Sequence, residues 1–320
     1  MKKLVIFGCQ QIAVDFIKYV SNQRDIEISL IVTYELPLDK TYGYESVIEN
    51  FNGTELEVVS PPRITKALID KVRNIDPDYI FSVYYRQILP KSLLSLAKYS
   101  SINIHPSLLP QYRGPIPTAW AIERGEKHFG ISIHLMDEGI DTGDILVQEK
   151  YKIKDDETGF ELYTRGMKLG FELLSKNFKS IIENKIAPIP QKGTGSYFGK
   201  KNGKYKISWQ EDATNINNMI RVHSKPYNPA ETSLFNRYIF INKAKVIYDE
   251  KYPSQGCGKI VDIIDEDKLV ISCARGCLIL EDFTVTPSLS KEERKIYFKI
   301  GNKLDIWKGL LTLTKTHSNA

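Results

Sequence analysis

Apolar residues near the N-terminus come in short runs set between stretches with helical spacing. Leu4 to Phe7 is a continuous apolar run that ends at Gly8, the pattern of a buried parallel strand entering a turn. Ile12, Phe16, Ile17 and Val20 follow at helical spacing, and Ile26 to Val32 is again rich in β-branched residues. The alternation continues through Val58-Val59, an amphipathic helix from Ile64 to Ile75 stopped by Asp76-Pro77, a buried strand from Tyr79 to Val83 and a helix from Pro90 to Ala97. Ser101 to His105 reads as a strand, Thr118 to Arg124 as a helix, Gly130 to Met136 and Ile145 to Tyr151 as strands, and Thr158 to Glu183 as a long helix. Strands alternating with helices predict an α/β fold with a Rossmann-like, mostly parallel sheet over residues 1–187.

The texture changes near residue 187. Residues 188–206 are rich in Pro, Gly, Ser and Lys and read as a linker, with Lys200, Lys201, Lys204 and Lys206 in a solvated loop. Beyond it, a short helix over Asp212 to Val222 precedes β runs at 233–235, 238–241, 245–248, 258–264, 269–273 and 278–283. Short strands at close spacing predict a small OB-like β-barrel domain over residues 207–320.

Lys and Arg number 44 against 39 Asp and Glu, a net charge of +5, which does not mark a dedicated nucleic-acid binder. Cys9, Cys257, Cys273 and Cys277 have neither a disulfide framework nor zinc-finger spacing, so no metal is expected. The N-terminal apolar run is too short for a signal peptide, and no stretch reaches membrane-spanning length, which points to the cytoplasm. The first βα turn, Phe7-Gly8-Cys9-Gln10-Gln11, holds one glycine where a dinucleotide fingerprint needs three.

The candidate chemistry begins where a strand stops. Proline cannot continue a central ladder, so Pro106 puts His105 at the strand's carboxyl end, where ligands bind in open α/β sheets. Asn103 and His105 are two residues apart and project to one face. An amide N–H can donate to a carbonyl oxygen gaining negative charge, and an imidazole can take a proton from an attacking amine. Hydrogen-bonded structural residues at a sheet end are an equally good reading of that spacing. Asp141, in the loop Asp137-Glu138-Gly139-Ile140-Asp141-Thr142-Gly143, could orient His105 or simply form a turn. The stiff stretch from Pro106 to Pro115 would shape a pocket wall, and its Arg113 could meet a phosphate or an internal carboxylate.

Taken together, Asn103-x-His105, Pro106-Ser107-Leu108-Leu109-Pro110-x-Tyr112-Arg113-Gly114 and Asp137-x-Gly139-x-Asp141-x-Gly143 resemble the signature of formyltransferases that use N10-formyltetrahydrofolate. Ile80 to Arg86 and Tyr197-Phe198-Gly199-Lys200-Lys201 are most similar to the sugar N-formyltransferases of that family. The resemblance implies that Asn103, His105 and Asp141 are the catalytic trio. It also implies that Arg86, Ile88, Leu89, Asp137, Gly139 and Asp141 contact the folate co-substrate, and that Tyr112, Arg113 and Gly114 contact the acceptor. A nucleotide-linked amino sugar, UDP- or dTDP-linked, is the acceptor so implied, and homodimers occur among such enzymes. Tyr227-Asn228-Pro229-Ala230 departs from the family, where Trp-Pro-Gly is usual.

Two other functions compete. Methionyl-tRNA formyltransferases carry a basic insertion after the second strand. Here Tyr34 to Leu56 holds Glu35, Asp39, Glu45, Glu49 and Glu55 against Lys40 alone, which argues against a nucleic-acid partner. A non-catalytic OB-type binder would stack bases on Phe235, Tyr238, Phe240, Tyr248 and Phe283. Their interleaving with aliphatic residues predicts core packing instead.

Overall fold

The computed structural model describes residues 1–200, 205–252, 256–265 and 267–304. Lys201, Lys204 and the last residues of the expected C-terminal domain lie outside the described residues. The elements in chain order are β1 (Lys2–Gly8), α1 (Gln10–Ser21), β2 (Ile26–Val32), α2 (Pro37–Thr41), α3 (Val47–Phe51), β3 (Val58–Val59), α4 (Lys66–Ile75), β4 (Tyr79–Val83), α5 (Lys91–Leu94), β5 (Ser100–His105), α6 (Pro117–Glu123), β6 (His128–Leu135), β7 (Ile145–Lys152) and α7 (Gly159–Ile182). They continue with α8 (Ala213–Val222), β8 (Ala230–Leu234), β9 (Arg237–Ile247), β10 (Ile260–Ile264), β11 (Lys268–Ser272), β12 (Cys277–Thr286) and α9 (Lys291–Tyr297).

The chain divides into two compact units. One comprises Met1–Trp120, His128–Ile153 and Leu162–Lys200; the other comprises Ala121–Lys127, Lys154–Glu161 and Lys201–Ala320. The first is built on a seven-stranded sheet of order β3-β2-β1-β4-β5-β6-β7. β3, β2, β1, β4 and β5 run parallel, β6 is antiparallel to β5, and β7 is antiparallel to β6. The central strands β1 and β4 are buried on both faces, which is why they read as unbroken apolar runs. Helix α1 covers one face with Ile12, Phe16, Ile17 and Val20. Phe16 meets Phe81 of β4 and Phe178 of α7 at ring-centroid separations of 5.2 and 5.6 Å. Helix α4 starts where the Thr65 side chain accepts from the Leu68 amide, and ends at Asp76 in the left-handed region just before Pro77.

The acidic stretch after β2 folds into α2 and α3, two one-turn helices too short to announce themselves by periodicity. Ser46 caps α3 by accepting from the Glu49 amide and donates to Glu35 Oε1 at 2.6 Å.

The second unit holds a five-stranded antiparallel sheet, β10-β11-β12-β9-β8, the small β domain expected after the linker. Helix α8 packs against it, and Trp209, Ile216, Ile220, Ile239, Ile241, Leu278 and Leu280 are among its buried core. The separate runs expected at 238–241 and 245–248 are one strand, β9, whose register against β12 shifts on both sides of the Lys243–Asp282 pair, and these bulges absorb the break in alternation. Phe235, Tyr238 and Tyr248 are exposed rather than core. Ile239 and Ile241 take the inward positions of β9, so Tyr238 falls on the outer face.

Candidate active site

Strand β5 ends at His105, next to the antiparallel β6, and register places Asn103 opposite His134 and His105 opposite Ser132. The loop after β5 runs back over the sheet. In it, Tyr112 and Gly114 take positive φ, 58° and 92°. A side chain at Gly114 would sit 2.6 Å from the Phe198 carbonyl oxygen, so both its backbone and its surroundings demand glycine. The loop after β6 brings Asp141 in at φ 54°. Gly143 makes that approach possible, since a Cβ there would lie 1.9 Å from the Leu135 carbonyl oxygen.

These two loops and β5 converge on one carboxylate. Asp141 Oδ2 accepts from the Gly114 amide at 2.8 Å and lies 3.6 Å from His105 Nδ1. Asp141 Oδ1 accepts from Asn103 Nδ2 at 3.3 Å and lies 3.6 Å from His134 Nε2. Asp141, distant in sequence, therefore meets both Asn103 and His105.

The tautomers follow from the acceptors. His105 Nε2 is 2.9 Å from the Tyr112 carbonyl oxygen, which can only accept, so Nε2 carries the proton and Nδ1 keeps its lone pair facing Asp141. His134 Nδ1 likewise donates to the Leu135 carbonyl at 2.7 Å, leaving Nε2 to accept from Asn103 Nδ2 at 3.1 Å. With one amide hydrogen toward His134 and the other toward Asp141, the orientation of Asn103 is set.

His105 is 5% exposed. Burial lowers the pKa of its imidazole below 6.5, outweighing the upward pull of Asp141 and the Tyr112 carbonyl. Burial pushes the Asp141 carboxyl up, but the charge that His105 gains on protonation, with His134 and the Gly114 amide, outweighs it and holds the group at about 2. At neutral pH the site thus pairs a neutral base with an ionised carboxylate.

The remaining expected residues are spread more widely. Tyr112 contributes its carbonyl, and its ring stacks on Phe198 at 5.1 Å. Within the protein, Arg113 Nη2 and Nε donate to Gln191 Oε1 at 2.7 and 3.2 Å. The Arg86 guanidinium pairs bidentately with Asp39 at 2.6 and 2.7 Å, so that side chain is engaged within the protein. Ile88 is 74% exposed, whereas Leu89 is 4% exposed and belongs to the core beneath β4. Asp137 Oδ1 accepts from the Gly139 amide and the Thr142 hydroxyl, at 3.0 and 2.6 Å, closing the turn that carries Asp141. A cavity of about 320 Å³ opens at the β1–α1 turn, lined by Gln10, Glu35, Asp39, Lys40, Tyr44 and Glu45 among others; none of the trio lines it.

His134 and Gln191 were not legible in the sequence. Only strand register sets His134 opposite Asn103. Gln191 lies in residues expected to be linker, yet this segment is laid along the site. The Arg113 amide donates to the Ser196 carbonyl at 2.9 Å, the Phe198 amide to the Arg113 carbonyl at 3.0 Å, and the Tyr112 amide to Ser196 Oγ at 2.8 Å.

The formyl transferase family profile matches residues 21–177, and the profile of the formyl transferase C-terminal domain matches residues 200–286. A methionyl-tRNA formyltransferase of Clostridium botulinum is 33% identical over 285 residues, covering 87% of this chain and 90% of the relative. The chain belongs to the formyl transferase family. It is a formyl-transferring enzyme, and transfer in this family draws on formyl-tetrahydrofolate. The bifunctional polymyxin resistance protein ArnA of Wigglesworthia glossinidia brevipalpis is 38% identical over 212 residues, 66% of this chain and 32% of that longer protein. Among solved structures, an N-formyltransferase of Helicobacter canadensis in complex with folinic acid and dTDP-3-aminofucose superposes with a TM-score of 0.70 at 23% identity. The match covers 88% of this chain and 99% of that one, which speaks to a shared fold.

Proposed function

We propose that this formyltransferase moves the formyl group of N10-formyltetrahydrofolate to the amine of a nucleotide-linked amino sugar, with Asn103, His105 and Asp141 as its catalytic residues. The observation that carries the chemistry is the convergence of the Asn103 amide and the His105 Nδ1 lone pair on the Asp141 carboxylate, at 3.3 and 3.6 Å. His105 Nδ1 takes the proton from the attacking amine, and Asp141 stabilises the imidazolium that forms. The Asn103 amide gives up its long 3.3 Å contact with Asp141 to donate to the tetrahedral oxyanion. The proton on Nδ1 then goes to the departing folate nitrogen.

The acceptor assignment rests on charge. The stretch from Tyr34 to Leu56 has five acidic residues and one lysine. That balance repels a polyanionic tRNA and leaves a small, amine-bearing acceptor as the better fit. Methionyl-tRNA is the second reading, favoured by the names of relatives that match at 33% identity over most of both chains. An acceptor panel separates the two: purified protein, formyl-folate, UDP- and dTDP-linked amino sugars, and charged initiator tRNA. Formylated sugar supports the proposal, and formylated tRNA with unreacted sugars overturns the acceptor assignment.

A further inference from the structure

We infer that Gln191 is a positioning residue that holds Asp141 in its working conformation, an inference that rests on the catalytic reading of Asp141. Its Nε2 donates to the carbonyl oxygens of Asp141 and Gly143 at 2.9 and 2.8 Å. Its Oε1 accepts from Arg113 Nη2 and Nε at 2.7 and 3.2 Å. Both amide hydrogens and the amide oxygen are thus engaged by the two loops that form the site.

The bonds close a circuit. It runs from the Asp141 carbonyl through Gln191 to the Arg113 side chain, along the backbone to Gly114, and from the Gly114 amide back to Asp141 Oδ2 at 2.8 Å. The circuit encloses a residue in an unfavourable state. Asp141 has φ 54°, a conformation that residues other than glycine adopt only when the surroundings hold them there. Gln191 grips the backbone on both sides of Thr142, so it fixes the turn whose carboxylate faces His105 and Asn103.

The chemistry of the side chain matters. One amide both donates twice and accepts twice at this reach. Glutamate would keep the Arg113 contact but present oxygen to two carbonyls, and lysine would lose the acceptor for Arg113.

The test compares wild type, Gln191→Ala, Gln191→Glu, Asp141→Asn and the Asp141→Asn/Gln191→Ala double variant, each assayed for formyl transfer over a range of donor concentrations up to saturation. A crystal structure of Gln191→Ala accompanies the kinetics. The expected result is a fall in kcat of about 10- to 100-fold for both Gln191 variants, with donor KM and melting temperature close to wild type. In the Asp141→Asn background the alanine change adds no further loss, because its effect passes through the carboxylate. Asp141 leaves the left-handed region in the crystal structure. Should Gln191→Ala fail to fold, Gln191→Glu carries the kinetic and crystallographic arms. Turnover within about twofold of wild type, or an equal loss in the Asp141→Asn background, overturns the inference. If the wild type formylates none of the amines offered, the functional reading fails separately, and an unchanged Asp141 backbone in the variant crystal overturns the positioning role by itself.

Discussion

The Gly114 amide donates to Asp141 Oδ2 at 2.8 Å, joining the proline-rich loop after β5 to the acidic loop after β6. Against burial, which raises it, protonated His105 above all, then His134 and this bond, keep the Asp141 carboxyl at about 2, below its ordinary 3.8. A carboxyl with a lower pKa folded than unfolded contributes stability that is full above the unfolded value and is lost as pH falls toward the folded one. Asp141→Asn is therefore expected to lower stability on the acid side of neutrality, where His105 gains its charge, and this gap from wild type closes between about pH 4 and pH 2. Denaturant unfolding of both proteins across that range checks it, and a gap that stays constant with pH contradicts it.

Burial of His105 sets the acid side of the rate profile. Its imidazole is held below 6.5, so the neutral base persists to lower pH than a free histidine allows. The acid limb of kcat/KM is expected to have its midpoint below 6.5. Above that limb the rate stays flat through neutrality. A midpoint above 6.5 would mean that Asp141 outweighs burial.

Asn103 stands where the oxyanion forms in the proposed reaction. Asn103→Ala is expected to lower kcat by about 10²- to 10³-fold while donor binding, read by calorimetry with a folate analogue, changes little. An unchanged kcat would return Asn103 to a purely structural role.

Gly143 is a packing requirement of the same site. A Cβ at this position would stand 1.9 Å from the Leu135 carbonyl oxygen, inside a loop anchored by the Leu135 amide to the Asp144 carbonyl at 2.8 Å. Gly143→Ala is expected to destabilise the protein by about 1–3 kcal/mol and to lower activity by displacing Asp141. Chemical denaturation reads the first effect and formyl transfer the second; full stability with full activity would contradict both.

What the sequence showed and what it hid have physical reasons. Alternation along β5 and the stop at Pro106 put Asn103 and His105 on one face at a strand end, and the structure places both beside Asp141. His134 was hidden because its partner Asn103 is 31 residues away, on a neighbouring strand whose register is a tertiary property. Gln191 was hidden because a Pro- and Gly-rich composition describes a flexible linker and a backbone-bonded segment equally well. Exposed Tyr238 of β9 shows the same limit: alternation tells which residues share a face, but packing decides which face is inside.

The most direct test of the trio is the rate of formyl transfer from N10-formyltetrahydrofolate by Asn103→Ala, His105→Ala, Asp141→Ala and the triple variant, each confirmed folded. Residues that act as one unit lose activity non-additively. The account predicts that His105→Ala and Asp141→Ala abolish transfer and that the triple variant is no worse than the worst single one. Near-wild-type turnover in either of those single variants would contradict it.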